Sequence, residues 1–307
     1  MSNLCLNKVI WLFDAMVGID QVLEKLSTVI DPDLKKDIVS MGMIKDLELN
    51  DGNLKFTLEL TTPACPFNVE IEDDVRKAIA ELSDLKNFDL NVTAKVMEGR
   101  SLDDDTGMTT VKNIIGVASG KGGVGKSTVS LNLALALSES GAKVGLLDAD
   151  IYGPSIPLML GMKDGFMEVE DNKLQPADSH GLKVVSFGFF ADQSNQAAIY
   201  RGPIISGILK QFLVDTNWSE LDYLIVDLPP GTGDIPLTLA QTIPITGILV
   251  VTTPQDVASD VAVKAVSMFE KLNVPIIGVV ENMSHFICPN CDDKHYIFGE
   301  GGAKKIS

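Results

Sequence analysis

The sequence predicts an α/β protein: a doubly wound, mostly parallel sheet preceded by a small α+β domain. Between residues 111 and 307, six apolar runs rich in Val and Ile (NIIGVAS, KVGLLDA, LKVVSFGF, DYLIVDL, TGILVVTT and PIIGVVEN) are separated by stretches of helical period. That pattern describes strands buried on both faces of a parallel sheet. A glycine-rich turn follows the first run and opens a helix. Ahead of these runs, residues 20–98 carry shorter elements in the order α-β-β-α-β.

The elements follow in order. Residues 1–19 form an N-terminal extension; its apolar stretch is broken by Asn7, Lys8 and Asp14, and no small-residue cleavage site follows a clean hydrophobic run. Apolar residues recur at helical spacing from Ile19 to Ile30, where DPDL breaks the pattern. MIKDLELNDGNLKFTLELTT alternates on either side of Asn50, Asp51 and Gly52, the pattern of two antiparallel strands with a tight turn. A second helix is expected over ACPFNVEIEDDVRKAIAELSDL and a closing strand over FDLNVTAKVM. Residues 99–110 are polar, acidic and without period, which reads as a linker.

Composition excludes several classes. The 307 residues are 45% apolar and 22% charged, as in a globular protein with a core. A formal charge of −17 disfavours nucleic acid and anionic membrane as partners. Four cysteines are too few and too unevenly placed for a disulfide framework. No segment reaches the roughly 18 uninterrupted apolar residues of a membrane span, so a cytoplasmic protein is expected.

GKGGVGKST fills the pattern G-x-x-x-x-G-K-[ST] with Gly120, Gly125, Lys126 and Ser127 between a predicted strand and a predicted helix. Glycines let backbone N–H groups curl around phosphate oxygens, and the helix N-terminus adds partial positive charge. Lys126 reaches the terminal phosphates and Ser127 offers a hydroxyl to Mg²⁺. Asp227 ends a predicted strand, where it can hold Mg²⁺ through water. Asp148 and Asp150 end another, where a carboxylate can orient the attacking water. Ligands bind at such strand ends; the bland reading makes these aspartates caps of the next segment.

Lys121 needs a separate reason, since one lysine already serves the phosphates. Here the chain resembles the deviant Walker A family typified by the MinD and ParA ATPases, whose K-G-G-x-G-K-[ST] motif is matched by Lys121, Gly122, Gly123, Val124, Gly125, Lys126 and Ser127, followed by Thr128. The resemblance implies that Lys121 crosses a homodimer interface to the partner's nucleotide, as an arginine finger does elsewhere. A plain surface lysine is the alternative.

Cys288 and Cys291 form a C-x-x-C turn that aims two thiolates at one point, whereas a tetrahedral zinc or a cubane cluster takes four ligands. In the implied homodimer an isologous interface supplies the pair twice. GKGGVGKST, DADIYGPSIP, RGPIISG, DYLIVDLPPGTGD, VTTPQDVA and GVVENMSHFICPNC together look like the Mrp/ApbC group of iron-sulfur cluster carrier ATPases. That resemblance implies a labile 4Fe-4S cluster on Cys288 and Cys291, ATP and Mg²⁺ as cofactors, Asn282 at the adenine, and apo iron-sulfur proteins and cluster assembly factors as partners. It also likens DPDLKKDIVSMGMIKD and LTTPACPF to a small domain fused to such carriers, in which Cys65 is either a reactive thiol at a helix start or a plain helix-start cysteine. Cys5 has no partner at suitable spacing.

Other readings stay open. His285, Cys288, Cys291 and His295 can be drawn as a zinc knuckle within one chain, and the cysteine pair as a redox dithiol. A MinD/ParA-like positioning or partition ATPase would need an amphipathic C-terminal helix or a basic patch, and a nucleotide-binding regulatory module would carry structural zinc. Carriers of this kind continue past FGEGGAKKIS into a further strand and helix, which leaves open a C-terminal truncation of the domain at 111–307.

Overall fold

The computed structural model describes residues 17–82, 85–96, 110–162, 168–171, 173–189 and 202–306. Residues 1–16 of the extension expected at 1–19 and residues 99–109 of the linker expected at 99–110 lie outside the described residues. The chain divides into two compact units, Met1–Lys95 and Val96–Ser307.

In the first unit, α1 (Ile19–Leu26) precedes the strands β1 (Ile44–Asn50) and β2 (Asn53–Leu60), then α2 (Asn68–Ala80) and β3 (Asn87–Ala94). β1 and β2 pair antiparallel and β2 and β3 parallel. A parallel pair needs a crossover, and α2 supplies it. Asp51 and Gly52 both take positive φ, 49° and 82°, which suits the two-residue turn that matches strand twist. Alternation along β2 buries Leu54, Phe56, Leu58 and Leu60. They pack with Val22 and Leu26 of α1 and Ile71, Val75 and Ile79 of α2. The first helix stops at Leu26, short of the expected Ile30, because the chain turns back and Ile30 bridges antiparallel to Asp37.

The second unit holds a seven-stranded sheet. Its strands are β4 (Val111–Ser119), β5 (Val144–Asp148), β8 (Ala177–Ser179), β9 (Leu182–Ser186), β10 (Leu221–Asp227), β11 (Gly247–Thr252) and β12 (Ile276–Glu281), in the order β12-β11-β4-β10-β5-β9-β8. All neighbours are parallel except β8, which runs antiparallel to β9. All six apolar runs are strands of this sheet. A two-residue pair, β6 (Val169–Glu170) and β7 (Lys173–Leu174), stands apart from it.

Successive strand residues point to opposite faces, and each face has its own core. Leu146, Val184, Ile225 and Val251 pack under α3 (Lys126–Glu139), against Leu131 and Ala134. Leu147, Val185, Leu224, Val226 and Val250 pack on the other face with Leu209 and Phe212 of α5 (Gly202–Val214), Leu239 of α6 (Asp234–Thr242), and Ala262 and Phe269 of α7 (Asp256–Lys271). A four-residue helix, α4 (Ile156–Met159), follows β5. This is the doubly wound arrangement the sequence predicts. Among the described residues no helix is long and apolar enough to cross a membrane.

Phe269 is fully buried on that second face. Phe269→Ala is expected to remove about 3–5 kcal/mol from this unit, read by urea unfolding in a Trp11→Phe background so that buried Trp218 reports.

Candidate nucleotide and metal sites

Parallel strands deliver their carboxyl ends to one edge of the sheet, and β4, β5 and β10 bring the predicted residues together there. β4 ends at Ser119 and α3 begins at Lys126; the six residues between them form the loop. Gly123 and Gly125 take φ of 80° and 89°, a region that costs other residues strain. At Gly125 a Cβ would also lie 2.1 Å from Asn282 Nδ2, and at Gly120 one would lie 2.5 Å from the Val261 backbone. These glycines let the loop turn while pressed against two neighbouring segments.

Asp227, fully buried, lies at the centre. Its Oδ1 accepts from Lys126 Nζ at 2.8 Å and Ser130 Oγ at 2.7 Å, and its Oδ2 from Ser127 Oγ at 2.6 Å. Lys126 is 6% exposed and lies 3.8 Å from Asp150 Oδ2. Ser130 was not anticipated, although its place one helical turn after Lys126 was a usable signal.

Asp148 points inward rather than at the loop. It accepts from Ser186 Oγ, Ile156 N and Asp150 N at 3.0, 3.2 and 3.2 Å. Those bonds favour its charged form, but burial and the nearby Asp227 carboxylate outweigh them and push its pKa up to about 7. Burial also raises Asp150, against the pull of Lys126. Ser186 was missed as well; it is the register partner of Asp148 across β5 and β9, a pairing invisible until the strand order is known.

Two carboxylates, Asp227 and Asp150, therefore share one ammonium before any phosphate arrives, with the Asp148 carboxyl near Asp227. A hard divalent cation fits this oxygen-rich, net-negative set, and the Ser127 hydroxyl and Asp227, in contact at 2.6 Å, are the groups that would hold it. A cavity of about 320 Å³ opens over the loop, lined among others by Gly123, Lys126, Ser127, Thr128 and Asp150. A larger one, about 480 Å³, lies at the opposite strand ends by Val144 and Leu221, where the lysine-acid pair Lys143–Glu220 is exposed rather than buried and the glycine loop takes no part in the lining.

Lys121 is half-buried, lines the same cavity as the loop and donates to Gln255 Oε1 at 3.3 Å rather than to Asp227 or Asp150. Asn282, just past β12, donates from Nδ2 to the Val124 carbonyl at 2.8 Å and accepts from Met283 N at 2.9 Å, so its amide braces the loop from behind.

Four residues beyond Asn282, β13 (Phe286–Ile287) begins; with β14 (Lys294–His295) it forms an antiparallel hairpin carrying Cys288 and Cys291. The ligand atoms of Cys288, Cys291 and His295 lie within 4.8 Å of one another. His285 is not in that set; its ring lies 6.2 Å from that of Tyr296. The structure thus joins three of the four residues of the expected single-chain zinc knuckle, not four. Phe286, Ile287, Tyr296 and Ile297 around them are about half exposed or more. Cys65 sits half-buried three residues ahead of α2, its carbonyl accepting from Asn68 N; Cys5 lies outside the described residues.

The raised Asp148 pKa gives stability a pH dependence of known sign. Between its ordinary 3.8 and about 7 the folded state keeps a proton that the unfolded state has released, so stability falls as pH rises through that window. Nucleotide-free Asp148→Asn lacks this ionisation and is expected to lose less stability than the parent chain from pH 4 to pH 7, measured by urea unfolding at each pH.

Residues 110–307 match the family described as NUBPL iron-transfer P-loop NTPase, and residues 19–88 match the iron-sulfur cluster assembly protein family. The iron-sulfur cluster carrier protein of Synechocystis is 48% identical over 95% of this chain and 84% of its own length. The chloroplastic Fe-S cluster assembly factor HCF101 of Arabidopsis thaliana is 46% identical over 93% of this chain and 54% of its own. A nucleotide-binding protein from Archaeoglobus fulgidus, solved with ADP, is 43% identical with a TM-score of 0.59 over 67% of this chain and 82% of its own. The glycine loop, the buried acid-lysine group and these matches agree: the chain belongs to the iron-transfer P-loop NTPase family.

Proposed function

We propose that this chain is an ATP-dependent carrier that binds a labile 4Fe-4S cluster between two copies of itself and passes it to apo iron-sulfur proteins and cluster assembly factors. The observation that carries this reading is a surface hairpin presenting two thiols inside an exposed apolar rim. Exposed apolar patches of this kind mark surfaces that a partner covers, and a two-fold axis there would gather four thiolates, the number a cubane takes. The family match and the carrier relatives support it.

Roles follow from position. Loop amides from Gly120, Gly122, Gly123, Val124 and Gly125, with those of Lys126, Ser127 and Thr128, surround the phosphates, and the Lys126 ammonium turns from Asp227 toward them. Mg²⁺, held by Ser127 directly and by Asp227 through water, would neutralise charge on the phosphates. Asp150, raised by burial and beside Lys126, orients the attacking water. Lys121 acts in the partner's site; in its own chain its ammonium is bonded to Gln255 rather than to the buried acids. Asn282 already uses one N–H and one lone pair; its second N–H and second lone pair remain for the adenine edge. The net charge of −17 argues against nucleic acid and anionic membrane, and a cytoplasmic setting suits free thiols.

Two measurements test this. Anaerobic reconstitution is expected to give about four irons per dimer, and the Cys288→Ala, Cys291→Ala double variant is expected to bind none; a cluster retained by that variant removes the assignment. Lys121→Ala should keep nucleotide affinity and lose turnover on the order of 10³-fold, the lower end of what a cation supplied in trans contributes. Unchanged turnover in Lys121→Ala would confine that lysine to the surface.

A further inference from the structure

We propose that Cys288, Cys291 and His295 form a second kind of site, one that holds a single thiolate-binding divalent cation of the zinc class within each chain. It shares both thiols with a cluster held between two chains, so the two occupants exclude one another, and His295 is the ligand that tells them apart. The site stands on the geometry of one hairpin and does not depend on the dimer.

The hairpin brings the three donors together by its own hydrogen bonding. Phe286 and His295 are register partners, Cys288 N donates to Asp293 O at 3.0 Å, and Asp292 N donates to Cys288 O at 2.9 Å. Asp292 takes a φ of 58° to close the turn. The strands therefore set His295 beside the cysteine turn, with all three ligand atoms within 4.8 Å.

The sulfur of Cys288 is also prepared for a metal. It accepts the backbone N–H groups of Asn290 and Cys291. Amides aimed at a sulfur fix its direction, as outer partners of metal ligands do. Asp292 and Asp293 beside the turn add negative charge that favours a cation.

The donor set limits the ion. Two thiolates and an imidazole suit zinc, cobalt or ferrous iron rather than magnesium or calcium. Three protein ligands leave the fourth tetrahedral position open. Because the ligands are largely exposed, an ion here exchanges with solvent and stays within reach of an incoming ligand.

Cobalt(II) alone, without iron or sulfide, titrated anaerobically into the reduced, metal-free full chain provides the test. The expected result is about one cobalt per chain, with thiolate-to-cobalt charge-transfer bands and the intense visible bands of a tetrahedral ion. His295→Ala is expected to weaken binding by more than about tenfold, the least that even an outer partner of a metal ligand costs. His295→Cys should restore it with a stronger charge-transfer band, and His285→Ala should leave affinity and spectrum unchanged. Cobalt bound at half an ion per chain, with affinity and spectrum indifferent to His295→Ala, would overturn the site in favour of four shared cysteines; so would no binding. Cluster reconstitution on His295→Ala is read separately. A cluster formed there with cobalt binding lost upholds both readings, and failure of the parent chain to form a cluster leaves the cobalt result standing.

Discussion

A carboxylate with no solvent around it is tolerated at the end of a central strand only when its charge is met, and Asp227 is met by Lys126, Ser127 and Ser130 alone among the described side chains. All three lie in the first turns of α3, at relative positions i, i+1 and i+4. Their bonds fix the rotation of that helix and its position along β10. With the end of β4 and the start of α3 both held, the intervening six residues have one short path to follow. Positive φ at Gly123 and Gly125 is the consequence. Removal of one partner from such a group leaves a buried charge uncompensated, at a cost of about 3–5 kcal/mol in comparable cases, so the loop shape and the stability of the sheet edge rest on the same contacts.

The same arrangement accounts for charge before ligand arrives. Lys126 is shared between Asp227 and Asp150, and it cannot neutralise both. Asp148 resolves part of the excess by holding a proton up to about pH 7, and a divalent cation bound here would offset the remainder. Ser127 can meet that ion without losing Asp227: a hydroxyl binds a metal through a lone pair and keeps its proton for the carboxylate. The Ser127–Asp227 contact can thereby survive loading, whereas Lys126 has to exchange Asp227 for a phosphate.

Much of this was legible in the chain, for identifiable reasons. A strand buried on both faces must be apolar throughout, so β4, β5, β9, β10, β11 and β12 each showed as a Val- and Ile-rich run. The antiparallel edge strand β8 did not: Ala-Asp-Ser is short and polar, and it is held by pairing to β9 rather than by burial. The pairs β6/β7 and β13/β14 have two residues per strand, too few for a period of two to register. At the site, residue type and spacing identified Lys126, Ser127, Asp150 and Asp227. Ser130 and Ser186 escaped because a serine carries no distinguishing signal until its partner is known. The bracing contact of Asn282 joins residues 158 positions apart, and only the strand order brings β12 behind the loop.

That contact also bears on how the two ends of the domain communicate. The segment that braces Val124 is the segment that leads into the cysteine hairpin, with Met283 in a left-handed conformation between them. Farther on, Ala303 N donates to Glu281 Oε2 at 2.7 Å, and Gly302 packs where a Cβ would sit 2.5 Å from Ser259 Oγ. The hairpin is therefore tied at both ends to β12 and to the start of α7, the elements that flank the loop. A nucleotide that shifted Val124 would act on the thiols through one neutral hydrogen bond, and such a bond contributes about 0.5–1.5 kcal/mol. Coupling through that bond alone is limited to about tenfold in affinity. A larger effect would have to travel by packing, for which α7 offers a route: Gly120 and Lys121 of the loop meet Val261 and Gln255, and Gly302 beyond the hairpin meets Ser259.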